Sequence, residues 1–74
     1  MMRLTVLIQA VGKEIWEACK EIEDIEGVKT VKVVIGTFDA IAYAELPELT
    51  GLRQLLDSIH KTEGIIRTET CIAI

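Results

Sequence analysis

The sequence has few of the residue types that enzymes use for chemistry. Its 74 residues include no Asn, one His, one Ser, one Pro and one each of Phe, Tyr and Trp. Ser58 and His60 are two positions apart on a predicted helix, where such residues do not face each other. A zinc site needs about four N or S ligands. The sequence offers three candidates at scattered positions: Cys19, His60 and Cys71. We therefore predict a protein that is not an enzyme and needs no metal or cofactor.

Basic charge and long apolar runs are also scarce. Eight Lys and Arg stand against twelve Asp and Glu, so the net charge is −4. Phosphate contacts need clustered Lys and Arg, and we therefore expect no direct DNA binding. No apolar run approaches the roughly 20 residues of a membrane span, and no signal peptide is evident. These features predict a cytoplasmic protein without membrane contact, whose two cysteines are reduced residues of the core.

Half of the residues are hydrophobic, and their spacing predicts six structural elements in one domain, residues 1–74. Four runs of apolar and β-branched residues predict strands: residues 4–11, 28–35, 40–45 and 65–74. Helical spacing predicts two helices, residues 13–26 and 47–63. Gly27 and Gly64 follow these helices, as is typical of a helix C-terminus.

The element order is strand-helix-strand-strand-helix-strand, and its two halves resemble each other. Ile22 and the Glu-Gly pair at 26–27 recur as Ile59 and the Glu-Gly pair at 63–64. Two split β-α-β units joined by a hairpin form the ferredoxin-like α+β fold. We expect a four-stranded antiparallel sheet with both helices on one face, because the crossovers are right-handed.

The predicted strands carry apolar residues on both faces. In the second strand these residues are Val31, Val33 and Ile35 on one face and Val28 and Val34 on the other. In the fourth strand they are Ile66, Ile72 and Ile74 against Ile65, Cys71 and Ala73. Two helices cover only one face, and the other would expose more apolar surface than soluble monomers tolerate. A second copy of the same face would cover it, which predicts a two-fold dimer and a dimeric α/β sandwich.

Three segments resemble the Lrp/AsnC family of transcriptional regulators. The turn at residues 36–39 (GTFD) resembles the family's G-x-[YF]-D signature. Residues 64–72 (GIIRTETCI) resemble its G-V-x-x-T-x-T-x-[IV] ending, and residues 25–28 fit its P-E/G-V pattern without the Pro. The resemblance covers nearly the whole chain, but only the C-terminal half of those regulators, their amino-acid-binding RAM domain. It implies a stand-alone RAM domain that lacks the helix-turn-helix.

This resemblance implies a non-enzymatic module related to transcription regulation. Family members dimerise through the sheet, assemble further into rings such as tetramers of dimers, and bind small amino-acid effectors between dimers. The implied partners are other copies of the chain, an amino acid and full-length Lrp/AsnC regulators. A purely structural oligomer, which would join full-length regulators without binding a ligand, stays open as the alternative.

The resemblance also implies a set of ligand-binding residues: Gly36, Thr37, Phe38, Asp39, Thr68 and Thr70. Asp39 has two interpretations, which stay open. It is either a turn carboxylate that accepts backbone N–H bonds or the partner of an amino acid's α-ammonium group. Thr68 and Thr70 are two apart on a strand, so their hydroxyls share a face, and Arg67 lies on the other face. We expect His60 to be solvated near the end of its helix.

Overall fold

Six elements follow one another in the order β-α-β-β-α-β. The computed structural model describes residues 1–11 and 15–74, and its elements are β1 (Met2–Ala10), α1 (Ile15–Glu23), β2 (Val28–Val33), β3 (Ala40–Leu46), α2 (Gly51–His60) and β4 (Ile65–Ile72). The strands form one antiparallel sheet in the order β2-β3-β1-β4. This confirms the predicted ferredoxin-like α+β fold. The predicted first two residues of the first helix, Lys13 and Glu14, lie outside the described residues.

One face of the sheet, which we call the covered face, forms the core with both helices. Alternate residues of the two central strands are buried there: Leu4, Val6, Ile8, Ala40, Ala42, Ala44 and Leu46. The helices contribute four buried residues to the same cluster: Cys19, Ile22, Leu55 and Ile59. Because the strand residues share one parity, both helices must lie on one side of the sheet. The three alanines of β3 leave room for helices to approach closely.

The two halves of the chain leave their helices in the same way. Gly27 after α1 and Gly64 after α2 have φ values of 99° and 95°, a region in which residues with a Cβ are strained. The carbonyl of Gly27 accepts a hydrogen bond from the Glu45 N–H at 2.8 Å, and that of Gly64 accepts one from the Val11 N–H at 2.9 Å. The repeat seen in the sequence is therefore also a repeat of backbone conformation and strand attachment.

Both helices end earlier than the sequence predicted: α1 ends at Glu23 and α2 at His60. Gly27 and Gly64 therefore lie four positions beyond the helices, directly before β2 and β4, and not at the helix C-termini as predicted. The prediction that the second helix opens at residue 47 was wrong, because Leu46 continues β3 as the partner of Met2. A turn follows, in which the Gly51 N–H donates to the Glu48 carbonyl at 3.2 Å, and α2 begins at Gly51. No helix within residues 1–11 and 15–74 is long and apolar enough to cross a membrane.

An irregularity in β2 changes which residues face the helices. Val28 pairs with Ala44, but Thr30 pairs with the adjacent Tyr43, so Lys29 is an extra residue in this strand. Such a bulge reverses the alternation of side chains that follow it. The predicted opposition of Val28 to Val31 and Val33 was therefore wrong. Val28, Val31 and Val33 all pack against the core.

A second irregularity lies between β1 and β4. Ala10 pairs with Ile65 and Gln9 with Arg67, which leaves Ile66 as the extra residue. Ile65 packs against the core, whereas the side chain of Ile66 is 54% exposed. Ile72, the register partner of Leu4, lies on the same face as Ile65 rather than opposite it. The sheet is therefore less two-sided in its apolar residues than the sequence predicted.

Candidate functional site

The face of the sheet that turns away from both helices, here called the open face, has an apolar centre. Its residues alternate with those of the covered face: Arg3, Thr5, Leu7, Gln9, Thr30, Lys32, Ile41, Tyr43, Glu45, Arg67, Glu69 and Cys71. Leu7 and Ile41 are direct cross-strand partners in the middle of the sheet, and Tyr43 follows on the same strand. Leu7 and Ile41 are half-buried, and Tyr43 is 38% exposed.

Charged residues surround this apolar centre. Arg3 and Glu45 approach to 3.9 Å between Nε and Oε2, and Arg67 and Glu69 approach to 2.6 Å between Nη2 and Oε2. Both pairs are substantially exposed, so each stabilises the single chain by about 0–1 kcal/mol. An apolar centre with a charged rim is the usual composition of a protein–protein interface.

Asp39 attaches the turn between β2 and β3 to the end of β1. Its backbone N–H donates to the Ile8 carbonyl at 2.8 Å, and its side-chain Oδ2 accepts from the Ala10 N–H at 2.9 Å. Its carbonyl also accepts from the Val34 N–H at 2.9 Å. The structure thus supports the interpretation of Asp39 as a turn carboxylate. Within residues 1–11 and 15–74, its Oδ1 accepts no hydrogen bond.

Phe38 lies near Arg67, which is not among the predicted ligand-binding residues. The guanidinium carbon of Arg67 lies 6.0 Å from the centroid of the Phe38 ring, at the outer limit of a cation–π contact. The same guanidinium is held by Glu69 through a 2.6 Å hydrogen bond from Nη2 to Oε2. Sequence reasoning placed Arg67 correctly on the face opposite Thr68, but it offered no signal of the contact with Phe38, which spans three strands of the sheet.

Thr68 lies on the other side of β4 and contacts α2. Its Oγ1 is 3.0 Å from Nε2 of His60, the last residue of that helix. His60 is exposed, as expected, but it is also a partner of a predicted site residue. Thr70 lies one step further along the same face of β4, opposite Val6. The two threonines are both half-buried, which agrees with the prediction that their hydroxyls share a face.

The structure brings the predicted residues to one region of the chain without joining them in one pocket. Asp39 binds the backbone of Ile8, and Thr68 pairs with Ile8 from the opposite side. The two residues are therefore separated by two strand spacings, about 10 Å. Gly36 and Thr37 are exposed beside them in the turn. We call this region, residues 34–39 with the start of β4, the turn end of the sheet.

A cavity of about 430 Å³ lies at the opposite end of the sheet, beside Gly27, Leu46 and Leu55. None of the six predicted ligand-binding residues lines it. Its position follows from the element order, because Leu46 ends β3 and Gly27 precedes β2. No motif or spacing in the sequence predicted a site at this end of the sheet.

The two cysteines lie in different surroundings. Cys19 is a buried thiol in α1, and burial together with the nearby carboxylate of Glu23 raises its pKa above 9.0. Cys71 is exposed on the open face, so the prediction that both are core residues was wrong for Cys71. Within residues 1–11 and 15–74, no group of three or more His, Cys, Asp or Glu side chains could hold a metal ion.

The chain has a split β-α-β fold, and a glycine precedes the second strand of each half. These features define a small ferredoxin-like α+β domain. The family model of the Lrp/AsnC ligand binding domain matches residues 5–74. The chain belongs to that family. No curated protein matches the sequence.

Solved structures agree with this assignment. TTHA0845 from Thermus thermophilus is 29% identical, with a TM-score of 0.93 over 100% of this chain and 94% of its own. A hypothetical protein from Pyrococcus horikoshii is also 29% identical, with a TM-score of 0.89 over 100% and 90%. The feast or famine regulatory protein Rv3291c from M. tuberculosis, solved with L-methionine, shares the fold at 22% identity and a TM-score of 0.84. This chain spans 50% of that regulator.

Proposed function

We propose that this chain is a non-enzymatic module that dimerises through its open face and binds a small amino acid where subunits meet at the turn end. The observation that carries the proposal is the distribution of the predicted site residues. Asp39 and Thr68 are about 10 Å apart across the sheet, whereas the ammonium and carboxylate groups of one amino acid are bonded to the same carbon. A single chain therefore presents parts of a site, and a second chain completes it.

The open face supplies the dimer contact in this proposal. Leu7 and Ile41 form its centre on the two middle strands. In a two-fold dimer through this face, the same two residues of the second copy would pack against them. An isologous contact of this kind removes the apolar centre from water in both chains at once. The charged rim can exchange partners across the axis, because each chain carries Arg and Glu in register, as in Arg3 and Glu45.

The turn end offers groups that suit the two ends of an amino acid. Oδ1 of Asp39 can accept hydrogen bonds from an α-ammonium group while Oδ2 stays bonded to the Ala10 N–H. The exposed backbone of Gly36 and Thr37 can approach an α-carboxylate closely. Phe38 provides an apolar surface for the side chain of the ligand.

Thr68 and Thr70 complete the proposed site from another subunit. Their hydroxyls lie on the side of β4 that faces α2, away from Arg67 and Phe38 of the same chain. Rings of dimers, such as tetramers of dimers, would bring this side of β4 to the turn of a neighbour. The L-methionine bound by the M. tuberculosis regulator supports an amino acid as the ligand class. We also propose a cytoplasmic location and co-assembly with full-length Lrp/AsnC regulators.

Calorimetric titration with a panel of amino acids, combined with native mass spectrometry, tests this function. We expect at least one amino acid to bind and to change the distribution of assemblies. Thr68→Val removes the hydroxyl at nearly constant volume and should weaken binding about five- to tenfold, as expected for one hydrogen bond of about 1–1.4 kcal/mol. Thr50→Val, in the exposed turn before α2, is the matched control and should bind normally.

Two outcomes would contradict the proposal in different ways. Oligomers that bind no amino acid in the panel would favour the structural alternative, in which the chain assembles without a ligand. Binding that is equally tight in Thr68→Val and Thr50→Val would remove the threonines from the site while leaving the module's function intact.

A further inference from the structure

The cavity at the opposite end of the sheet lies wholly within one chain. It has a volume of about 430 Å³ and opens between the exit of α1, the end of β3 and α2. Ligand pockets commonly measure about 300–1,000 Å³, so a small molecule fits its size. Two of its lining residues, Leu46 and Leu55, are among the buried residues of the core. The cavity therefore has an apolar floor that does not depend on assembly.

Two glycines keep the cavity open. A Cβ added to Gly27 would come within 3.0 Å of Leu46 Cδ2, and one added to Gly51 would come within 3.6 Å of the same atom. Both glycines line the cavity. Their missing side chains leave one end of Leu46 accessible from the cavity. Gly27 is required by its positive φ, whereas Gly51 lies at the start of α2, where most other residues would favour the helix.

The rim of the cavity carries charges of both signs. Lys29 lines it because the bulge in β2 makes this lysine an extra residue, outside the alternation that puts Thr30 and Lys32 on the open face. Glu26 lines the same cavity three positions earlier, and neither it nor Lys29 forms a salt bridge with any residue in the part of the chain that the structure describes. Glu45 also lines the cavity, but its carboxylate lies 3.9 Å from Nε of Arg3, which balances its charge. Gln54 adds a neutral hydrogen-bonding group from α2.

We propose that this cavity is a second binding site, specific for a small apolar amino acid and contained in each single chain. Lys29 binds the α-carboxylate, Glu26 binds the α-ammonium group, and the apolar floor of Leu46 and Leu55 receives the side chain. Charge complementarity selects the ligand class, because a carboxylate or an amine alone would satisfy one rim charge and meet repulsion from the other. The bulge at Lys29 is the feature that puts the cation in place.

This site is independent of the one proposed at the turn end. It requires no second subunit, so its stoichiometry is one ligand per chain in every assembly. It uses none of the residues in the turn or in β4. Either site can therefore exist without the other, and a residue-resolved measurement separates them.

Nuclear magnetic resonance of the full chain, titrated with L-leucine, tests the proposal. We expect the amide signals of Gly27 and Gly51 to shift with saturation, whether or not signals of Phe38 and Thr68 also shift. 4-Methylpentanoate and isopentylamine, which are L-leucine without its ammonium and without its carboxylate, should each bind at least about tenfold more weakly, because one charge-assisted bond is missing.

Three variants give the proposal its controls. Gly51→Met fills the cavity from a helical position where its Cβ meets only ordinary contacts, and it should abolish the shift at Gly27. Lys29→Gln should weaken L-leucine binding roughly five- to tenfold. Lys20→Gln removes a lysine from the exposed surface of α1, outside the cavity, and should bind like the natural chain.

The proposal is overturned if Gly27 and Gly51 do not respond to L-leucine while the natural chain is folded. It is also overturned if Gly51→Met, with an unchanged fold, responds at Gly27 as the natural chain does. Shifts confined to Phe38 and Thr68 would refute this second site and would leave the proposed function standing.

Discussion

The two faces of the sheet are built from the same central strands but differ in how far their apolar residues are buried. On the covered face, Val6 and Ile8 are fully buried against the helices, and the alanines of β3 leave space for them. On the open face, Leu7 and Ile41 are only half-buried, and ion pairs surround them. The covered face is complete in one chain, whereas the open face has an apolar centre and a charged rim, the composition of a protein–protein interface.

This difference shows that apolar content alone does not distinguish a core from an interface. Both faces contain aliphatic residues at adjacent positions of β1, and both satisfy the preferences of a β-strand. The distinction lies in the residues around the apolar centre. Helices complete the covered face, whereas charged side chains such as Arg3 and Arg67 lie at the margins of the open face.

The strongest test of this comparison removes equal side-chain volume from each face. Ile8→Ala should lower the free energy of unfolding by about 2–5 kcal/mol, because it leaves a cavity in a packed core. Ile41→Ala removes the same atoms from the open face and should cause a smaller loss. Urea denaturation at a protein concentration low enough to keep the chain monomeric measures both, and equal losses would contradict the distinction between the faces.

A charge at the centre of the open face should separate assembly from folding. Leu7→Lys should weaken the dimer by about 3 kcal/mol or more, because the two-fold contact brings two lysines together in an apolar centre. The helical circular dichroism of the chain should persist. Thr30→Lys adds the same charge at the exposed margin and should leave the assembly almost unchanged. Unfolding of Leu7→Lys alongside loss of assembly would show that the open face is needed for the fold itself.

The hydrogen bond that attaches the turn to β1 should contribute moderately to the free energy of unfolding. Asp39→Ala removes the acceptor of the Ala10 N–H and should lower the free energy of unfolding by about 1–3 kcal/mol. Asp39→Asn keeps an oxygen acceptor and should recover much of that loss. Thermal unfolding of the two variants checks this ordering. If the alanine variant is as stable as the natural chain, the hydrogen bond contributes nothing measurable.

The reactivity of the two cysteine thiols measures the accessibility of each face without any substitution. Cys19, buried on the covered side, should react with a thiol reagent only after unfolding, and Cys71 should react at once in a dilute chain. Cys71 should become protected as the protein concentration rises and the open face is covered. Reactivity of Cys71 that does not change with concentration would argue against burial of this face.

The raised pKa of Cys19 predicts a pH dependence of stability. Above about pH 9 the unfolded chain loses the thiol proton while the folded chain keeps it, so the free energy of unfolding falls as the pH rises. Cys19→Ala should reduce this alkaline slope. Urea midpoints between neutral and alkaline pH measure it, and an unchanged slope in the variant would assign the loss to other groups.

The sequence predicted features that depend on local spacing. The order of elements, the fold and the resemblance of the two halves follow from periodicity and from the repeated Glu-Gly pair. The bulges at Lys29 and Ile66 could not be predicted in this way, because counting alternate positions assumes that no strand contains an extra residue. This assumption put Val28 and Ile65 on the wrong faces.

The candidate site was predictable only in part for a similar reason. Motif resemblance selected the turn residues and the two threonines, and alternation along β4 separated Thr68 from Arg67 correctly. The contacts of Asp39 with Ala10, and of His60 with Thr68, join residues from different elements. They depend on how the turn and α2 are placed against the sheet, which residue spacing does not encode.

Sedimentation equilibrium of the natural chain beside Leu7→Lys tests the central claim most directly. If the open face is a self-complementary surface, the natural chain sediments as a dimer or a multiple of it at micromolar concentration, and the variant sediments as a folded monomer. A natural chain that is monomeric and folded across that range would contradict the claim and remove the basis for a site shared between subunits.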